Sequence, residues 1–140
     1  DLFANKSPEE QEISSTNSSI ANKAYQTLSK PMQRVKYLMR VLGSSALEEE
    51  GAAADGPPVP PDFLMEVMET REKLEHCSCK EEAEGVLLQA RREADECLQA
   101  MDEALKAGGG KEELADAAIR LRYTYRIEEE ARRVVHKFED

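Results

Sequence analysis

Residues 78–110 read SCKEEAEGVLLQARREADECLQAMDEALKAGGG. Within this stretch Ala83, Leu87, Ala90, Ala94, Cys97, Met101 and Ala104 recur at alternating intervals of four and three. That heptad-like spacing keeps one side of an α-helix against a second helix. The small alanines allow the two backbones to come close, and Cys97 acts there as a small buried hydrophobe. Gly108-Gly109-Gly110 ends the helix, because glycine alone enters the left-handed cap conformation at no steric cost. A second long helix follows from about Lys111 to Phe138, with Leu114, Ala118, Leu121, Tyr125, Val135 and Phe138 marked for burial and Ile127, Ala131 and Val134 widening the stripe. Two long helices joined by a short glycine turn predict an antiparallel hairpin. Ser78 with Glu81 reads as a capping box at the start of the first of them.

Upstream, Pro61 to about His76 reads as a helix with apolar residues on two faces. Phe63, Val67, Thr70 and Leu74 follow the spacing of a buried stripe, which completes a three-helix bundle with the hairpin. Leu64, Met65 and Met68 point elsewhere, alongside Glu69 and Glu72. Methionines at helical spacing usually fill cores, so spacing alone predicts that this second set is buried too.

The N-terminal part reads as two consecutive helices. Ser7-Pro8-Glu9-Glu10 combines a capping serine, a proline at the first helical position and a glutamate completing the box. The helix then runs to about Ser29, weakened by the Ser/Thr/Asn content of 14–19 but carrying Ile13, Ile20, Ala24 and Leu28 on one stripe with Tyr25 beside it. Lys30-Pro31 interrupts it, since proline lacks a donor and drives the preceding residue out of the α region. Val35, Leu38, Met39 and Leu42 then recur at i, i+3, i+4 and i+7, and Gly43 closes a short helix over 31–42. Residues 44–60 combine small, acidic, glycine and proline residues without periodicity, the composition of a solvated connector and a domain boundary.

The chain has 140 residues, enough for one ordinary domain or for a small domain with a fragment of another. Hydrophobic residues at 40%, charged residues at 34% and the lack of tryptophan fit slender helical packing, so the fold class is all-α. The formal charge of -10 is concentrated toward the C-terminus, where residues 61–140 hold 21 acidic and 13 basic side chains. Such a surface repels phosphate backbones and anionic headgroups. No nucleic acid and no membrane is therefore expected as partner, and a protein of basic or mixed charge fits better. No apolar run is long enough to span a bilayer.

Cys77, Cys79 and Cys97 are odd in number and match no disulfide framework and no C-x-x-C zinc knuckle. They read as free thiols in a reducing compartment, with His76-Cys77-Ser78-Cys79 at most a transient metal contact. No metal site and no cofactor is expected. Phosphate loops, Ser/His/Asp sets and zinc-protease pairs are missing, and the carboxylates stand on helical faces near Arg or Lys, where they supply solubility and weak pairing. The expectation is a binding protein, not an enzyme.

Asn22, Ala24, Tyr25, Leu28, Pro31, Arg34, Tyr37, Leu38 and Gly43 stand in the order of the J-domain end of HscB/Jac-type cochaperones of iron-sulfur cluster assembly, which this segment resembles. Residues 62–74, from Asp62 and Phe63 through Glu66, Arg71 and Leu74, look like the first helix of that family's C-terminal domain, and Arg120-Leu121-Arg122-Tyr123 looks like its last. The resemblance implies three parts: residues 1–43 as the end of a J domain, 44–60 as a linker and 61–140 as a three-helix domain that holds the cluster scaffold. It implies an IscU-type scaffold protein and a DnaK-class chaperone as partners. It also implies that the chain lacks most of the J domain: Asp1 would be the last member of the His-Pro-Asp loop, and the chain would not stimulate the chaperone's ATPase. Carried over position by position, the scaffold-facing residues are Leu64, Met65, Met68, Glu69, Glu72, His76 and Tyr123. This reverses the reading of the methionines from core to contact surface. His76 stands where bacterial relatives have an acidic residue, and Tyr123 where phenylalanine is frequent. The run from Arg122-Tyr123 to Arg126-Ile127-Glu128-Glu129 looks more like the eukaryotic branch, which implies the mitochondrial matrix, with a bacterial cytoplasm as the alternative.

A rival reading makes the chain a structural adaptor that self-associates through the Ala83 to Ala104 seam. A stable oligomer formed without scaffold would favour it, whereas a weak homodimer is compatible with both readings.

Overall fold

The computed structural model describes residue 2 and residues 4–48 and 59–139. Among these, five helices and no strand are present: α1 (Pro8–Ser29), α2 (Pro31–Val41), α3 (Pro61–His76), α4 (Lys80–Lys106) and α5 (Lys111–Lys137). The chain divides into two compact units, residues 1–38 and 39–140.

In the first unit, α1 begins with the capping box read from the sequence. The Ser7 N–H donates to the Glu10 carboxylate at 2.9 Å, and the Glu10 N–H donates to Ser7 Oγ at 3.3 Å. No residue of α1 is buried, and Ile13, Ile20, Tyr25 and Leu28 all stand exposed. Lys30 is extended, which breaks the helix before Pro31. Arg34 then reaches back and donates to the Leu28 carbonyl at 2.8 Å, satisfying one of the acceptors that a helix end leaves open.

At the close of α2, Gly43 takes a φ of 76° while its N–H donates to the Arg40 carbonyl and the Ser44 N–H to the Met39 carbonyl. This pair of bonds is a Schellman cap, and it needs the left-handed residue that glycine supplies. Met39 and Leu47 are buried, so Leu47 departs from the solvated connector expected over 44–60. Residues 49–58 of that connector lie outside the described residues.

The second unit is built on α4 and α5. They pack along most of their length, with Ala83, Ala90, Ala94 and Met101 of α4 buried, and Leu114, Ala118, Leu121, Ile127 and Ala131 of α5 buried. α3 adds one buried residue to each of two layers. Val67 packs with Ala90 and Ile127, and Leu74 packs with Ala83 and Ala131. The alanines explain how a third helix fits, because they leave room for Val67 and Leu74 without opening voids.

The turn between α4 and α5 repeats the cap of α2. Gly108 has a φ of 75°, and Gly109 donates to the Ala104 carbonyl at 2.7 Å. A Cβ on Gly109 would lie 2.8 Å from that carbonyl oxygen, so both glycines are required, for different reasons. Ion pairs brace the bundle, among them Arg71 of α3 with Glu130 of α5 at 3.2 Å and Arg91 of α4 with Glu128 of α5 at 3.3 Å.

Three local expectations need correction. α4 starts at Lys80 with Cys79 as its cap residue, one place later than a Ser78 and Glu81 box requires. Glu82 accepts from the Ser78 N–H at 2.8 Å instead. Phe138 is 44% exposed because α5 ends at Lys137 and Phe138 caps it. Tyr125 and Val135 are only partly buried, whereas Ala115, Ile119 and Thr124 are buried in their place. Thr124 tolerates this because its hydroxyl donates to the Arg120 carbonyl one turn back.

Candidate functional site

α3 has two faces of different character. Val67 and Leu74 face the bundle, with Phe63 and Thr70 partly buried beside them. Residues 65, 68, 72 and 76 recur at i, i+3, i+7 and i+11, a second stripe on the far side of the helix from Val67 and Leu74. Met65 and Met68 on that stripe are 59% and 69% exposed. Core packing, the reading from spacing alone, is thus excluded for both. Leu64 flanks them, partly buried, and Glu69, Glu72 and His76 are exposed on the same side.

Six of the seven residues singled out from the sequence therefore share one outward face. An isolated exposed methionine is ordinary, but two methionines and a leucine within two turns, edged by carboxylates, form a contiguous apolar patch. The backbone under it is held by the buried side of the same helix. Thr70 donates to the Glu66 carbonyl at 2.8 Å, and His76 Nδ1 lies 2.9 Å from the Glu72 carbonyl. Because a carbonyl only accepts, this hydrogen bond forms in the tautomer whose Nδ1 carries the hydrogen.

Tyr123 lies apart from these six. It belongs to the Val67, Ala90 and Ile127 layer and meets Phe63 edge to face, with ring centroids 5.8 Å apart and planes at 85°. Its link to α3 thus runs through the first turn, on the packed side. Two arginines flank this aromatic pair, Arg120 at 4.7 Å from the Phe63 centroid and Arg122 at 6.0 Å from the Tyr123 centroid. Phe63 and Arg120 were not singled out as a site. The available signal was the i, i+3 spacing of Arg120 and Tyr123, which sets both on one side of α5. Asp1 lies outside the described residues.

Other features carry less chemistry. An open groove of about 830 Å³ runs along the C-terminal ends of α3 and α5, lined by Arg71, Leu74, Cys77, Glu130, Val134 and Phe138 among others. Its Arg71 and Glu130 already pair with each other. The three cysteines are free, and among the described residues no group of three or more His, Cys, Asp or Glu comes together to hold a metal ion. Burial pushes the Cys97 thiol above its ordinary value, although Arg120 pulls the other way. At the end of the bundle, Lys80 Nζ lies 2.8 Å from Glu139. That hydrogen bond raises the Lys80 ammonium and, with His136 adding to it, lowers the Glu139 carboxyl. Among the described residues no helix is long and apolar enough to cross a membrane.

Residues 59–132 match the family model described as the HSCB C-terminal oligomerisation domain. The chain is similar to the co-chaperone protein HscB homolog of Cupriavidus taiwanensis, 30% identical over all of this chain and 78% of the relative. It is similar to the co-chaperone protein HscB homolog of Ralstonia nicotianae, 29% identical with the same coverage. It is also similar to the iron-sulfur cluster co-chaperone protein HscB of Mus musculus, 30% identical over 92% of this chain and 53% of the relative. No solved structure matches the chain with significance.

Proposed function

Because the chain belongs to the HscB co-chaperone family, we propose that it is a cochaperone of iron-sulfur cluster biogenesis whose α3 holds an IscU-type scaffold protein for a DnaK-class chaperone. The observation that carries this reading is the outward face of α3, where Met65 and Met68 stand exposed on a helix whose other side is anchored in the bundle. Leu64, Met65 and Met68 supply the desolvated centre, where each fully covered side chain contributes about 1.5–3 kcal/mol. Glu69 and Glu72 form the rim and set orientation and partner choice, and a basic or mixed partner surface answers their charge. His76 extends the rim by one turn. Tyr123 acts at the edge, through Phe63.

In this reading residues 61–140 are the scaffold-binding domain, 44–60 the linker and 1–43 the end of a J domain. The step performed is recognition and delivery, with no bond made or broken, in keeping with relatives named as co-chaperones. The mitochondrial matrix is the favoured compartment, by kinship with the mouse relative, and a bacterial cytoplasm is the alternative.

Isothermal titration of the chain with a purified IscU-type scaffold tests the reading. Saturable 1:1 binding supports it, and absence of heat and of comigration at tens of micromolar sinks it. The adaptor reading loses its main support, since Ala83, Ala90, Ala94 and Met101 of the seam are buried within the chain. Mass in solution separates the two: a stable oligomer formed without scaffold favours the adaptor.

A further inference from the structure

The five methionines of this chain divide sharply by environment. Met39 and Met101 are 1% and 3% exposed and Met32 is partly buried, whereas Met65 and Met68 stand mostly in solvent, adjacent on the outward face of α3. A thioether reacts with a peroxide only where the oxidant reaches the sulfur. The fold thus shields the core methionines and presents the pair on which partner binding is proposed to depend.

We propose that Met65 and Met68 are a reversible oxidation site, through which peroxide acting on the free chain prevents α3 from taking up the scaffold partner. The inference rests on the scaffold-binding reading of that face. Each step is a two-electron oxygen transfer. The sulfur lone pair attacks one oxygen of hydrogen peroxide, and an S–O bond forms as the O–O bond breaks. The proton on the transferred oxygen passes to the departing hydroxide, which leaves as water, so the thioether is oxidised to a sulfoxide as the peroxide is reduced. The product is polar, carries a strong acceptor oxygen and differs in shape from the parent side chain. Covering it by an apolar partner surface leaves that oxygen desolvated without a donor. α3 itself is unaffected, because its anchoring residues Val67 and Leu74 contain no sulfur and lie on the opposite side. The two methionine sulfoxide reductases, one for each sulfoxide epimer, restore the thioether with two electrons from a dithiol, which becomes a disulfide as the oxygen leaves as water, and this makes the switch reversible. Leucine at these two positions would give comparable apolar area and helix propensity without this chemistry, so the sulfur is the distinguishing feature.

The full chain treated with millimolar hydrogen peroxide, then with a thiol reductant to reverse cysteine sulfenic acids and disulfides, provides the test. Peptide mass spectrometry should find sulfoxide at Met65 and Met68 well before Met39 and Met101. Calorimetry with the scaffold should give an affinity about tenfold weaker per oxidised methionine, restored by methionine sulfoxide reductase. The M65L/M68L variant, compared with its own untreated affinity, should show no change after peroxide. Unchanged affinity of the parent once both residues are oxidised, an equal loss in the leucine variant, or equally fast oxidation of Met39 and Met101 in the folded protein would each overturn the proposal. A failure of the untreated parent to bind would overturn the scaffold reading and the switch together.

Discussion

Met68 and Leu121 are both large apolar side chains in the middle of helices, yet Met68 is 69% exposed and Leu121 is fully buried. Leu121→Ala removes atoms from a packed layer and should destabilise the bundle by about 2–5 kcal/mol, measured by urea denaturation. Met68→Ala should change stability by less than about 0.5 kcal/mol in the same assay, because it removes no buried contact. Cys97 offers a pH test. Its thiol is held above the ordinary value by burial, so its thiolate forms later on raising the pH. Alkylation of Cys97 in the folded protein should therefore be slower at pH 8 than that of glutathione, with its rate still climbing above pH 9. The unfolded chain releases this proton first, so the group favours the folded state below its ordinary value and the advantage is lost as pH rises through the folded one. A rate profile superimposing on glutathione would contradict the burial account.

At the scale of elements, the interest lies in how helices are ended and turned. Gly108 sits in the left-handed region, and Gly108→Ala should cost about 1 kcal/mol. Gly109→Ala should cost more, since its Cβ meets the Ala104 carbonyl oxygen at 2.8 Å and that oxygen is fixed in the backbone of α4. Thermal unfolding of the two variants gives the ranking directly, and equal midpoints would argue against this cap. These ends were legible because Gly and Pro act locally: Ser7-Pro8, Pro31, Gly43 and the triple glycine all fall at element boundaries. The rotation of α5 about its axis was less legible. Its apolar stripe is wide enough to accept several orientations, and contact with α3 and α4 selects Ile119 and Thr124 over Tyr125 and Phe138. The α4 start shifted by one residue for a similar reason: Glu81 and Glu82 are both able to reach back, and the extended Cys79 decides between them.

At the scale of the whole molecule, the bundle anchors α3 through Val67 and Leu74 and leaves Met65 and Met68 uncovered. Periodicity alone located that side but read its methionines as core, because a surplus apolar face has the same pattern whether a neighbour covers it or not. Family resemblance reads them as a contact surface, and Met65 and Met68 stand exposed. Tyr123 came from the same resemblance, and its edge-to-face contact with Phe63 is a through-space feature that no linear pattern carries. The acidic surface adds a prediction about rate. Reversing the rim with Glu69→Lys and Glu72→Lys should slow association with a basic or mixed scaffold surface several-fold at low salt, with the difference shrinking as salt screens it. Stopped-flow measurement at two ionic strengths checks this.

The central claim, that the outward face of α3 is the scaffold-binding surface, is tested most directly by calorimetry on the Leu64→Ala/Met68→Ala double variant, with circular dichroism on the same sample. The account predicts a loss of about 2 kcal/mol or more in binding, some thirtyfold in affinity, with helicity unchanged. Unchanged affinity, or a collapse of helicity, would contradict it.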